Sequence, residues 1–268
     1  MEDSTADRLL QLNREFYGTF AEAFTDSRAP TEPGFERILQ RVQPGARVLD
    51  LGCGPGRLAS LLPPGCSYTG VDSSAELLRA ATEFHSTESD YAEPSSAESH
   101  SSDGANVGRA PANVRFVQAD LVRDPWPDLV KPDPVGGGYD WVILRAVLHH
   151  IPGFERRCGV VRRAAEVLGP KGMVVIANWQ FLRIERLRRR LLPWDRIGLQ
   201  ESDVDPGDYL LDWQRNGYGV RYVHLIDEVE TQHLADDAGL QIDDLFFADG
   251  HTNDLTLYAI LRPPGAAG

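Results

Sequence analysis

Ten residues, Val48-Leu-Asp-Leu-Gly-Cys-Gly-Pro-Gly-Arg57, limit the fold more than any other stretch of this chain. The apolar residues and Asp50 make a short buried strand. Gly52, Gly54 and Gly56 then let the backbone turn and pass close to a ligand before a helix begins near Arg57. A turn built for pyrophosphate would space its glycines G-x-G-x-x-G, but the third slot of that pattern is Arg57. The spacing here is G-x-G-x-G. On its own such a turn also fits a plain strand-to-helix connection, so its weight depends on the residues downstream.

A second strand, Ser67 to Val71, ends in Asp72 twenty residues after Gly52. That interval is what a strand-helix-strand unit imposes, and a carboxylate at the strand end can accept both hydroxyls of a ribose diol. Ser73 or Ser74 can cap the next helix, Ala75 to Phe84. A third strand, from Asn113, closes on Asp120-Leu121, where a carboxylate can accept an adenine amino group. A fourth begins at Tyr139, carries Arg145 and runs into the pair His149-His150. Adjacent histidines at a strand end point in different directions, so at least one is expected to pack. A helix over Phe154 to Leu168, a turn at Gly169-Pro-Lys-Gly172 and a fifth strand, Met173 to Trp179, complete an α/β alternation with a parallel sheet. Strands near Asp243 to Ala248 and Leu255 to Leu261 should close it, after a helix opened by the capping pair Asp227 and Glu230.

With 268 residues, the chain is expected to form one domain. Residues 1–44 read as an amphipathic helical cap carrying Leu9, Leu12, Phe16 and Phe20 on one face. Residues 86–112 are rich in Ser, Glu, Ala and Gly and read as a disordered insertion. Residues 180–224 interrupt the alternation where a substrate lid would lie. Cys53, Cys66 and Cys158 lack metal or disulfide spacing, and no metal is expected. No apolar run approaches the ~20 residues of a membrane span, so a cytoplasmic protein with no membrane partner is expected. The formal charge of −13 argues against non-specific polyanion binding over the whole surface. Within it, Arg183, Arg186, Arg188, Arg189 and Arg190 form the one concentrated basic patch, which also fits a merely solvated helix face.

The G-x-G-x-G turn behind an acidic strand end, together with Asp72 and Asp120, resembles the class I S-adenosylmethionine-dependent methyltransferases over nearly the whole chain. The resemblance implies a Rossmann-like, mainly parallel, doubly wound sheet with a closing antiparallel hairpin. It also implies S-adenosylmethionine as cofactor, whose ammonium suits Asp50. The cofactor-facing set is then Tyr17, Asp50, Gly52, Cys53, Gly54, Asp72, Ser73, Asp120 and Leu121. Leu12-Asn-Arg-Glu-Phe-Tyr17, Phe24 to Arg28, Ala146-Val-Leu-His-His, Pro193-Trp194 and Arg221-Tyr-Val-His224 look, more narrowly, like the tRNA wobble-uridine carboxymethyl methyltransferases. Those enzymes esterify a carboxymethyl group on a uridine of the anticodon, and eukaryotic members work with a small zinc-binding activator protein. Methyl transfer to an ionised carboxylate needs alignment more than a strong base, so cationic or hydrogen-bonding residues are expected around such an acceptor: Arg28, Arg145, Arg221 and His224, with Tyr17 or Tyr222 closing over it, and tRNA is expected at Arg183 to Arg190. The basic, tRNA-facing character of that family is reduced here to this one cluster. A small-molecule O- or N-methyltransferase and a non-catalytic cofactor-binding protein are the competing expectations.

Overall fold

A computed structural model describes residues 1–25, 32–90, 113–131 and 137–265, the side chains of 21–25 and 87–90 excepted. In chain order its strands are β1 (Arg47–Leu51), β2 (Ser67–Asp72), β3 (Asn113–Gln118), β4 (Tyr139–Arg145), β5 (Leu168–Trp179), β6 (Leu191–Leu192), β7 (Asp208–Trp213), β8 (Gly219–His224), β9 (Gln241–Ala248) and β10 (Thr256–Arg262). Its α-helices are α1 (Asp3–Thr25), α2 (Pro33–Leu39), α3 (Ala75–Asp90), α4 (Trp126–Val130), α5 (Phe154–Glu166), α6 (Glu185–Arg188) and α7 (Glu228–Asp237).

Seven strands form one sheet in the order β3-β2-β1-β4-β5-β10-β9. The first five are parallel, and β10 runs antiparallel to both β5 and β9. This is the Rossmann-like methyltransferase fold with its antiparallel closing hairpin. The alternation of side chains along β4 explains the double winding. Val142 and Leu144 point into a core shared with Val160, Val161 and Ala164 of α5, whereas Trp141 and Ile143 point into one shared with Phe35 and Ile38 of α2 and Leu78 of α3. Strand order reverses between β1 and β4, so a crevice opens beyond their C-terminal ends.

Several boundaries differ from expectation for physical reasons. The helix α3 runs on to Asp90, so the Ser-rich segment does not break it at residue 86, and residues 91–112 lie outside the described part. The Gly169 to Gly172 turn is absorbed into β5, whose register against β4 shifts between Tyr139 and Trp141. The Arg-rich stretch forms a turn at Phe181–Arg183 and a four-residue helix, not a long one. Residues Leu191 to His224 build a second sheet, β6-β7-β8, against which α1 packs. Among the described residues no helix is long and apolar enough to cross a membrane.

Candidate active site

The C-terminal ends of β1 to β4, with α1 laid over them, enclose a cavity of about 760 Å³. Its floor is the glycine turn, where Gly52, Gly54 and Gly56 have φ of 75°, 54° and 69°. The amides of Gly52 and Cys53 both donate to the Val71 carbonyl, at 2.7 and 3.0 Å, which ties the turn to β2. A Cβ on Gly52 would collide with Val147, but one on Gly54 would meet no protein atom within 4 Å. Gly54 therefore presents bare backbone to the cavity, as a cradle must.

Asp72 stands beside it with its carboxylate already aligned. One oxygen accepts from the Gly54 amide at 2.8 Å and the other from the Ser74 amide at 2.9 Å. Each oxygen keeps a lone pair for a diol. Burial raises the Asp72 pKa even against those amides. Asp50 is more exposed to this effect: burial pushes it up to about 6, while the Tyr68 hydroxyl, donating at 2.8 Å, and the charge of Arg145 pull it back. A buried carboxylate of this kind gains most from a cationic ligand, and an ammonium fits. The cavity size and these donors and acceptors suit S-adenosylmethionine.

All nine residues expected to face the cofactor line this one cavity: Tyr17, Asp50, Gly52, Cys53, Gly54, Asp72, Ser73, Asp120 and Leu121. Asp120 is more occupied than expected, accepting from the amides of Val122 and Arg123 at 2.8 and 3.1 Å and pairing with Arg14 across the cavity. Arg145 also lines it, its guanidinium lying 4.7 Å over the Phe35 ring. Arg28 lies outside the described residues.

Two of the acceptor-facing assignments need correction. Arg221 and His224 do not line the cavity. Tyr222 and His224 project from one face of β8 and Arg221 from the other, and all three are buried; α1 runs along the edge of β8, with Leu9 packed against Tyr222 and Phe16 beside Arg221. The Arg221 guanidinium sits among aromatic rings, 4.8 Å from Trp179, 5.3 Å from Phe16 and 5.6 Å from Trp213. Burial lowers its pKa, and a side-chain contact with Tyr17 opposes that. His224 is held by Asp208 at 2.6 Å and Glu230 at 2.7 Å. Burial alone would lower the His224 pKa, but these two carboxylates outweigh it and the pKa is raised. Arg157, 2.7 Å from Glu230, completes the group and donates to the Ile151 carbonyl. Tyr222 gives its hydroxyl proton to Asp208 at 2.6 Å and is not a cover for the cavity.

None of residues 180–224 lines the cavity. The expected lid is instead the support on which α1 rests, and α1 forms the cover. The basic patch is also largely neutralised. Arg183 is 3.7 Å from Glu228, Arg188 and Arg189 both pair with Glu185, and Arg190 is 2.7 Å from Asp212.

Two residues of the wall were not among the expected site residues. Asn13 occupies the apolar stripe of α1, four residues after Leu9 and three before Phe16. That position is a signal in itself, since a buried amide must be satisfied. Its Nδ2 donates to the carbonyls of Tyr222 and His150, both at 3.1 Å, and its Oδ1 accepts from the Tyr222 amide at 2.8 Å. Of the two histidines, His149 is buried, stacked on Trp179 and 3.3 Å from Asn178. His150 reaches the cavity and bonds the Tyr17 hydroxyl at 2.7 Å.

Residues 25–245 match a family model described as a methyltransferase domain. The chain is 27% identical over 186 residues to the probable tRNA methyltransferase 9B of Mus musculus, covering 67% of this chain and 33% of that protein. It thus spans about a third of the length of this relative. It is 33% identical over 158 residues to the trans-aconitate 2-methyltransferase of Paracidovorax citrulli, covering 57% of this chain and 46% of that one. A solved S-adenosylmethionine-dependent methyltransferase from Methanosarcina mazei shares the fold, with a TM-score of 0.58 and 20% identity over 87% of this chain and 98% of that one. The glycine cradle, the aspartates at successive strand ends and these matches agree: the chain belongs to the methyltransferase domain family, of the class I kind that uses S-adenosylmethionine.

Proposed function

We propose that this chain methylates a carboxylate oxygen, and that the carboxylate is the carboxymethyl group of a modified wobble uridine in tRNA. The observation that carries the first half is the arginine content of the cavity wall, Arg14, Arg57, Arg123 and Arg145. Arg145 is the best placed of the four. Its stacking on Phe35 fixes the plane of the guanidinium and leaves the N–H edge to grip a carboxylate with two bonds. The second half is supported by the likeness to tRNA methyltransferase 9B and by the motifs shared with the wobble-uridine enzymes.

Asp50 would take the ammonium of the cofactor, Asp72 the ribose hydroxyls, and Asp120 the adenine amino group. When bound, S-adenosylmethionine supplies a methyl already activated on a sulfonium, so an ionised carboxylate needs alignment and not a base. Alignment of this kind can be worth roughly 7–11 kcal/mol. Arg145 would hold the acceptor, and α1 would keep water from the cavity. Arg183 to Arg190 would guide the tRNA.

A second reading has its own support: the charge of −13 and the pairing of the Arg183 to Arg190 cluster suit a small carboxylic acid better than a polyanion. The test uses methyl-labelled S-adenosylmethionine with total tRNA and, separately, with a small-acid fraction, each with and without a zinc-binding activator protein. Label in tRNA that mild alkali releases as methanol is expected. Alkali-stable label would overturn the ester, and label in the acid fraction alone would move the acceptor from tRNA to a metabolite.

A further inference from the structure

The tip of the β7–β8 hairpin is a small, braced projection. Asn216 and Gly217 turn the chain there with positive φ, 56° and 127°. The Trp213 indole donates to the Arg215 carbonyl at 2.6 Å, and a Cβ on Gly217 or Gly219 would stand only 3.1 or 2.6 Å from the Phe20 ring. The backbone of the tip is thus held from within and against α1, while its large side chains, Arg215 and Tyr218, are exposed. Tyr218 is 57% exposed although the aromatic cluster of Phe16, Phe20 and Trp213 packs against the same tip.

Positive charge gathers at this end of the small sheet. Leu191 pairs with Leu211, and the Asp212 amide donates to the Arg190 carbonyl at 3.0 Å, so the Arg-rich stretch ends beside the hairpin tip. Arg188 and Arg189 share a single carboxylate, Glu185. Arg186 and Arg215 are exposed and have no ion pair among the described residues. The cavity lies close by: Tyr17 and Gly18 of α1 line it, while Phe16 and Phe20 of the same helix meet Trp213 and the tip glycines. One helix diameter, ~10 Å, separates tip from cavity.

We propose that the hairpin tip is a platform for a single-stranded RNA loop: Tyr218 stacks on an unpaired base, and Arg215 and Arg186 neutralise the phosphates beside it. An exposed aromatic ring next to unpaired guanidinium groups is the chemistry that holds single-stranded nucleic acid, since an unpaired base offers its face and a base inside a duplex does not. The net charge of −13 repels phosphate from the rest of the surface and leaves this end as the side of approach. The inference rests on the tRNA reading and narrows it: the RNA is bound by its loop, and the base on Tyr218 is a near neighbour of the nucleotide in the cavity.

The test measures binding directly, by fluorescence anisotropy of a labelled hairpin RNA with a uridine-containing single-stranded loop, compared with the blunt duplex of its stem. Wild type should bind the hairpin more tightly than the duplex. Tyr218→Ala should weaken hairpin binding about tenfold without changing its salt dependence, whereas Tyr218→Phe, which keeps the ring, should bind like wild type. Arg215→Gln should weaken it with a salt slope shallower by about 0.7, the share of one phosphate contact on a single strand. Both side chains are exposed, so neither change should move the melting temperature appreciably. No hairpin binding, equal binding of hairpin and duplex, or hairpin binding untouched by Tyr218→Ala overturns the platform. Methyl transfer then tells a wrong platform from a wrong acceptor. With total tRNA, Tyr218→Ala should raise KM about tenfold. Label in tRNA at an unchanged KM overturns the platform and keeps the acceptor. No label in tRNA with any variant sinks the tRNA reading, and the anisotropy still decides the platform by itself.

Discussion

Asp50 shows how much a single residue can be held at cross purposes. Its carboxyl is buried, and its pKa is raised to about 6. In the unfolded chain it would titrate near ~3.9. The folded state therefore binds this proton more tightly, and stability falls as pH rises from about 4 to about 6, by on the order of 3 kcal/mol, and stays lower above that. Asp50→Asn removes the charge and keeps an oxygen for Tyr68. At pH 7.5 it should melt about 5 °C higher in scanning calorimetry. It should also bind S-adenosylmethionine roughly tenfold more weakly by isothermal titration, because a neutral amide cannot pair with the ammonium. A variant that is both more stable and equally tight would remove Asp50 from the cofactor site. The same residue implies that wild-type affinity weakens as pH drops below 6.

At the level of elements, the β1 turn divides its glycines by task. Gly52 and Gly54 both have positive φ, but only Gly52 is hemmed in by a neighbour, Val147. Gly52→Ala should cost about 1–3 kcal/mol through overpacking. Gly54→Ala should cost about 1 kcal/mol for the left-handed backbone alone, yet abolish cofactor binding because the methyl enters the cradle. Denaturant melts and titration on the two variants separate these outcomes. The strand ends that carry Asp50, Asp72 and Asp120 could be read from the sequence because a parallel sheet places successive C-terminal ends side by side, whatever the loops between them do. Arg221 and His224 could not be placed that way. Their spacing on β8 is visible in the sequence, but which side of a strand faces a cavity depends on what packs against it. Nothing local in Arg221-Tyr-Val-His224 says that the rings of Phe16, Trp179 and Trp213 close around Arg221 while Glu230 and Arg157 wait beside His224. The ion pairs within the basic patch were hidden for a similar reason, since Glu228 and Asp212, which pair with two of its members, are distant in sequence.

Across the whole molecule, α1 is the piece that joins the large sheet to the small one. Asn13 fastens it by three hydrogen bonds, to Tyr222 twice and to the carbonyl of His150 once. Asn13→Leu has the right size and none of the bonds, and it leaves buried backbone groups unmet. It should cost about 2–3 kcal/mol. Hydrogen exchange should quicken in α1 and β8 and stay slow in β4 and β5. Uniform quickening everywhere would mean that the two sheets unfold as one unit.

The cover over the cavity is a helix borrowed by the donor-binding sheet and aimed by a sheet that never touches the cavity. Such an arrangement separates two inheritances. Drift in β6 to β8 can tilt α1, and so re-aim Tyr17, while the cradle, Asp50 and Asp72 stay as they are. A lineage built this way can trade one methyl acceptor for another without ever losing its methyl donor.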